Sequence, residues 1–93
     1  MSIDDIRQLI AEERVDEAIT AAGEVIGDAG ASVHERAMAY YLRGNAYRKF
    51  NDLKQAMNSY LESMELEPDG PAAMAYSHAQ EVMAFYCKDL YNP

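Results

Sequence analysis

The apolar stripe Val15, Ala18, Ile19, Ala22, Ile26 recurs 38 residues later as Leu53, Ala56, Met57, Tyr60, Met64. Both sets follow the i, i+3, i+4, i+7, i+11 spacing of one helix face. A pattern repeated at a period of roughly 20–50 residues marks stacked supersecondary units, because one such unit cannot bury its apolar face alone. The same shift aligns the segment before each stripe, with Leu9 falling on Tyr47. The period therefore predicts helical hairpins in series.

The local signals agree. Proline occurs only at Pro68, Pro71 and Pro93, and no segment alternates apolar and polar residues as a half-buried strand would. Five helices are predicted. The first runs from Ile3 to Glu12, with Ser2 as N-cap and Asp5 completing a capping box. The second runs from Val15 to Gly27, where Gly27 and Gly30 supply stop signals. Ser32 and Glu35 form a second capping box, so the third helix runs from Val33 to Phe50. Asn51 tolerates the left-handed conformation that closes a helix, which makes Asn51-Asp52 a tight turn. The fourth helix spans Leu53 to Glu67. Pro68 to Pro71 breaks the chain, and Pro71 opens a fifth helix with Ala75, Ala79, Val82, Met83, Tyr86 and Leu90 along one face.

Gly44 is the exception to good helix propensity, at a cost of about 1 kcal/mol against Ala. Around it, bulky Tyr40, Tyr47, Phe50 and Tyr60 interleave with small Ala46, Ala56 and Ser63. That mixture implies two helices in close approach. Tyr40, Gly44, Tyr47, Ala56, Tyr60 and Pro68 also match the W-x2-L-G-x2-Y, A-x3-F, P pattern of a helix–turn–helix repeat. In these landmarks the chain resembles the tetratricopeptide repeat (TPR) family, and the span from Ala37 to Gly70 has the family's 34-residue length. Arg43 departs from the pattern, which has Leu there; neighbouring Leu42 is expected to take over part of that packing.

The resemblance implies an all-α, TPR-like right-handed superhelix of antiparallel helix pairs in a single domain over 1–93. Residues 1–30 form a degenerate first repeat, with Ile6 where Gly44 stands and no closing proline. Residues 37–70 form the well-matched repeat, and 71–93 a capping helix over the last apolar face. It further implies that a side chain at Gly44 would hold the paired helices apart.

Composition limits the functional classes. Hydrophobic residues make up 49% of the chain, as in a globular protein. The net charge of −8, from 16 acidic and 8 basic residues, opposes nucleic-acid binding. One cysteine, Cys87, rules out an internal disulfide. The acidic N-terminus does not read as a signal peptide, and no apolar run reaches membrane-spanning length, so a cytoplasmic location is expected.

No catalytic motif is present: there is no G-x-S-x-G, no P-loop and no H-E-x-x-H. His34 and His78 lie on different helices without ligand spacing, and Cys87 has no neighbouring base. The acidic pairs Asp4-Asp5, Glu12-Glu13 and Asp16-Glu17 are neighbours that point apart on a helix, as on a solvated face. No enzyme activity, cofactor or metal is expected.

Charge is distributed unevenly. Residues 36–54 hold five cations (Arg36, Arg43, Arg48, Lys49, Lys54) against one acid, Asp52, whereas residues 1–35 hold two cations against nine acids. In TPR proteins the first helix of each repeat lines a concave groove that takes peptides or helices. By resemblance, Met38, Tyr41, Asn45, Arg48 and Lys49 face that groove, joined by Ile3, Arg7 and Ile10 from the first helix and Ala75, Ala79 and Met83 from the fifth. The function expected is recognition of a protein or peptide partner. Arg48 and Lys49 read equally well as solvated charges paired locally along their helix. The alternative function is homodimerisation, with Tyr76, Tyr86 and Tyr91 of the last helix as the contact.

Overall fold

The computed structural model describes residues 2–91, with side chains through Phe85. The side chains of Tyr86, Cys87, Leu90 and Tyr91, and residue Pro93, named above, lie outside the described residues. Five helices follow in order: α1 (Ile3–Ala11), α2 (Val15–Ile26), α3 (Val33–Lys49), α4 (Leu53–Leu66) and α5 (Ala72–Tyr91). No strand occurs among the described residues. The expected all-α architecture of two hairpins and a last helix is what forms. The molecule measures 50 × 28 × 17 Å, so it is less than two helix diameters thick.

The helix starts are chemically specified. The Ser2 hydroxyl accepts from the Asp5 backbone N–H at 3.2 Å, and the Asp5 carboxylate accepts from the Ser2 N–H at 3.0 Å. Those bonds, the backbone one first, hold the Asp5 carboxyl below its usual range. Ser32 and Glu35 repeat the box at 3.0 and 3.1 Å. At the fifth helix the expectation needs correction. Pro71 lies in the preceding turn and its carbonyl accepts from Ala75, so the helix begins at Ala72.

Both hairpins turn in the same way. Glu13 and Asn51 have φ of 61° and 60°. The N–H of Arg14 reaches the Leu9 carbonyl at 2.9 Å, and that of Asp52 reaches Tyr47 at 3.0 Å. Glu13 donates to Ile10 and Asn51 to Arg48, which completes a Schellman motif in each hairpin. Glu13 and Asn51 are themselves 38 residues apart, so the sequence period is also a backbone period. Gly27, read as a stop signal, caps α2 at φ −84°, a conformation open to any residue.

Helix α3 is the centre of the molecule. Ala39, Leu42 and Ala46 join a core with Ile6, Leu9, Val15, Ala18, Ala21, Ala22 and Val25 of the first hairpin. Ala37 and Gly44 turn instead toward α4. A Cβ on Gly44 would lie 2.5 Å from Cε1 of the fully buried Tyr60, so only hydrogen fits there. The Tyr60 ring fills the space that Gly44 leaves. A second core gathers Ala56, Tyr60, Ala72 and Ala79, with Tyr47, Met57 and Met64 at its edge. Ser59 and Ser63 are also buried here: Arg43 Nε donates to Ser59 at 3.1 Å, and Ser63 donates to the Ala37 carbonyl at 2.7 Å. Arg43 also stacks on the Tyr40 ring at 4.9 Å, while Leu42 is buried among the first-hairpin residues. Pro68 is exposed and acts as a chain breaker outside the packing contact.

Candidate functional site

A third face of α3 remains, between the one covered by the first hairpin and the one covered by α4. Met38, Tyr41, Asn45, Arg48 and Lys49 follow i, i+3 and i+4 steps, which places them in one column. Beside this column runs α1. Arg7, Ile10 and Ala11 from α1, Met38, Tyr41, Leu42 and Asn45 from α3, and Pro71 from the interhelix turn line one open groove of 420 Å³. A smaller hollow of 230 Å³, formed by Asn45, Arg48 and Lys49, extends it along α3. Asn45 belongs to both, so an apolar stretch passes into a cationic one through an amide.

Asn45 is fixed from behind. The Tyr60 hydroxyl donates to its Oδ1 at 2.6 Å, which leaves the amide N–H groups as the available polar function. Tyr41 packs on Tyr60 with ring centroids 6.0 Å apart, so the groove floor is held by the same ring that fills Gly44. Burial pushes the Tyr60 phenol above its usual range, and Arg48 beside it pulls the other way. Arg48 and Lys49 form no ion pair among the described residues, in contrast to the local pairing weighed for them. Both stand in the last turn of α3, where cations also complement the helix dipole. Arg7 sits 3.4 Å from Asp4, an exposed pair that water screens.

Of the residues read from the sequence as groove residues, Arg7, Ile10, Met38, Tyr41, Asn45, Arg48 and Lys49 fall in two adjoining hollows. Ile3 packs at the edge of the first core and lines neither. Ala79 is fully buried in the second core and Ala75 packs against it, so the small residues of α5 serve packing against α4. The sequence reading missed Ala11, Leu42 and Pro71 as lining residues. Ala11 lies one turn beyond Arg7, a signal that was available; Pro71 reaches the groove only through the path of the α4–α5 turn.

Two other hollows gather different residues. One, of 500 Å³, holds His34 against Glu67, with Nδ1 2.9 Å from a carboxylate oxygen. The other, of 340 Å³, is bordered by Asp16, Glu17 and Glu24, with Arg14 engaged by Glu12 and Glu17. Among the described residues no group of three His, Cys, Asp or Glu could hold a metal ion. No helix of the described residues is long and apolar enough to cross a membrane.

The comparisons with known proteins bear on this arrangement. A family model described as tetratricopeptide repeat matches residues 37–69, the hairpin that contains Gly44 and Tyr60. The solution NMR structure of Bacteroides fragilis protein BF1650 superposes with a TM-score of 0.85 at 37% identity, covering 97% of this chain and 88% of that one. No match was found among curated proteins. With the hairpin turns, the Gly44–Tyr60 contact and this match in register, the chain belongs to the tetratricopeptide repeat family.

Proposed function

We infer that this is a protein-interaction module whose groove between α1 and α3 takes a peptide or helix segment of a partner. The TPR fold typically serves as a non-catalytic interaction scaffold, which supports the general class. The observation that carries the specific reading is the continuity of the groove. Apolar Ile10, Met38 and Leu42 lead through Asn45 to two cations that no carboxylate of the described chain occupies. Such a surface suits a segment with apolar side chains at one end and carboxylates or backbone carbonyls at the other. The walls are helices with fixed floor residues, so binding costs little ordering on this side.

The test is recovery of partners from lysate by wild type and by Arg48→Glu/Lys49→Glu. Lys49 is exposed and Arg48 touches the core only at the Tyr60 hydroxyl, so the double variant is expected to stay folded, checked by its thermal melt, while its partner recovery falls. Equal recovery of every partner by both proteins would refute the groove.

A further inference from the structure

The outer face of α5 carries a second surface that the groove does not use. Met74, His78, Glu81 and Phe85 follow each other at steps of four, three and four, which sets them in one stripe. All four are exposed, Met74 at 81% and Phe85 at 76%, although Phe85 also makes contact within its own chain. The opposite face of α5, with Ala72 and Ala79, is the one buried on α4. His78 and Glu81 make no hydrogen bond or ion pair among the described residues.

The stripe is its own complement when reversed. If two α5 helices lie antiparallel with a twofold axis between residues 79 and 80, Met74 meets the other copy's residue 85 and His78 meets its residue 81. One pairing puts a thioether against an aromatic ring, and the other an imidazole against a carboxylate. The step pattern is also the a/d spacing of a coiled-coil seam, and antiparallel seams pair such positions in this order. The flanking Ser77 and Ala84 are exposed and small, so nothing holds the helices apart. Continued repeat stacking through this face is disfavoured. A shift of 34 residues puts His78 at the position of Gly44, where a following helix would need hydrogen only.

We propose that α5 forms an isologous antiparallel dimer with a second copy of this chain through Met74, His78, Glu81 and Phe85. This surface differs from the tyrosine contact expected from the sequence: Tyr76 packs at the edge of the second core. It is also separate from the groove. One helix pair buries less than the roughly 1,000 Å² of a stable interface, so the dimer is weak and forms at high protein concentration.

Sedimentation of the full chain, from micromolar to millimolar concentration, tests this. Wild type is expected to move from monomer toward dimer mass. His78→Glu places carboxylates opposite one another and is expected to weaken the dimer by about tenfold or more. His78→Glu/Glu81→Lys sets opposite charges against one another and is expected to recover association to within about threefold of wild type. Arg48→Glu/Lys49→Glu leaves the dimer unchanged, which separates this surface from the groove. Melting by circular dichroism checks that each variant is folded. A monomer at millimolar concentration overturns the proposal, as does a His78→Glu variant that dimerises like wild type or a double variant that recovers nothing.

Discussion

In the first hairpin the bulky side chain stands on the leading helix, as Ile6, and the small one on the following helix, as Ala22. In the second hairpin the equivalent positions are Gly44 and Tyr60, and the order is reversed. All four are buried, and Ile6, Ala22 and Tyr60 have no exposed surface. The Ala18 and Ala56 pair is identical and fully buried in both. The hairpins thus keep a similar filled volume with opposite donors, the kind of exchange that close-packed cores tolerate best. The difference continues one layer out. Ala21 and Val25 make the first interface wholly apolar, whereas Ser59 and Ser63, at the same positions, make the second one hydrogen-bonded. The reversal also bears on the hollow beside α3. Because the bulk in the second hairpin is a tyrosine, its hydroxyl can reach Asn45 and fix a groove residue, which an isoleucine on the leading helix could not do.

The comparison breaks most readily at Tyr60. Tyr60→Ala should cost about 3–5 kcal/mol, seen as loss of the cooperative thermal transition or a large fall in melting temperature. Ile6→Ala should cost a comparable amount, about 2–5 kcal/mol, which would place the two anchors on opposite helices. A variant with Tyr60→Ala that melts near wild type would show that this ring does not hold the second hairpin.

Gly44→Ala is next, at about 1–3 kcal/mol, because its Cβ meets the Tyr60 ring. The sharper experiment copies the first hairpin into the second with Gly44→Ile/Tyr60→Ala. The double variant should lose less than the sum of the two single losses, with a coupling of about 0.5–3 kcal/mol. Additive losses in urea unfolding would mean that the two hairpins are not volume exchanges of one another.

Ser63→Ala removes a buried hydroxyl bond and should cost about 1 kcal/mol by urea unfolding. No loss would show that the polar character of the second interface contributes nothing to stability. The smallest effect is expected at the turns. Glu13 holds a left-handed conformation that costs a residue with a side chain about 1–2 kcal/mol, partly offset on replacement by the chain entropy of glycine. Glu13→Gly should therefore raise stability by up to about 1 kcal/mol, and Asn51→Gly by less, since asparagine adopts this conformation readily. Equal gains at both sites would show that asparagine is no better than glutamate in this turn.

Much of the fold was legible because its determinants are local. The capping boxes at Ser2 and Ser32 and the asparagine turn are read within a few residues, and the repeat period needs only counting. The first turn was less legible, since Glu13 carries none of the usual left-handed preference; its shape follows from the hairpin closing around it. The groove column on α3 was legible from helical spacing together with the family pattern. The small residues of α5 were not, because Ala75 and Ala79 suit a groove wall and a packed interface equally well.

The sequence by itself determined the number and ends of most helices, the period of the hairpins and the place where only hydrogen could stand between them. Those properties depend on neighbouring residues and on helix geometry. Tertiary structure decided how the faces of α3 were divided, that Pro71 would reach the groove, and that α5 would turn Ala72 and Ala79 inward and Met74 outward. A helix covered from several sides has no single apolar stripe to read, so the partner that packs against each face sets what remains for function.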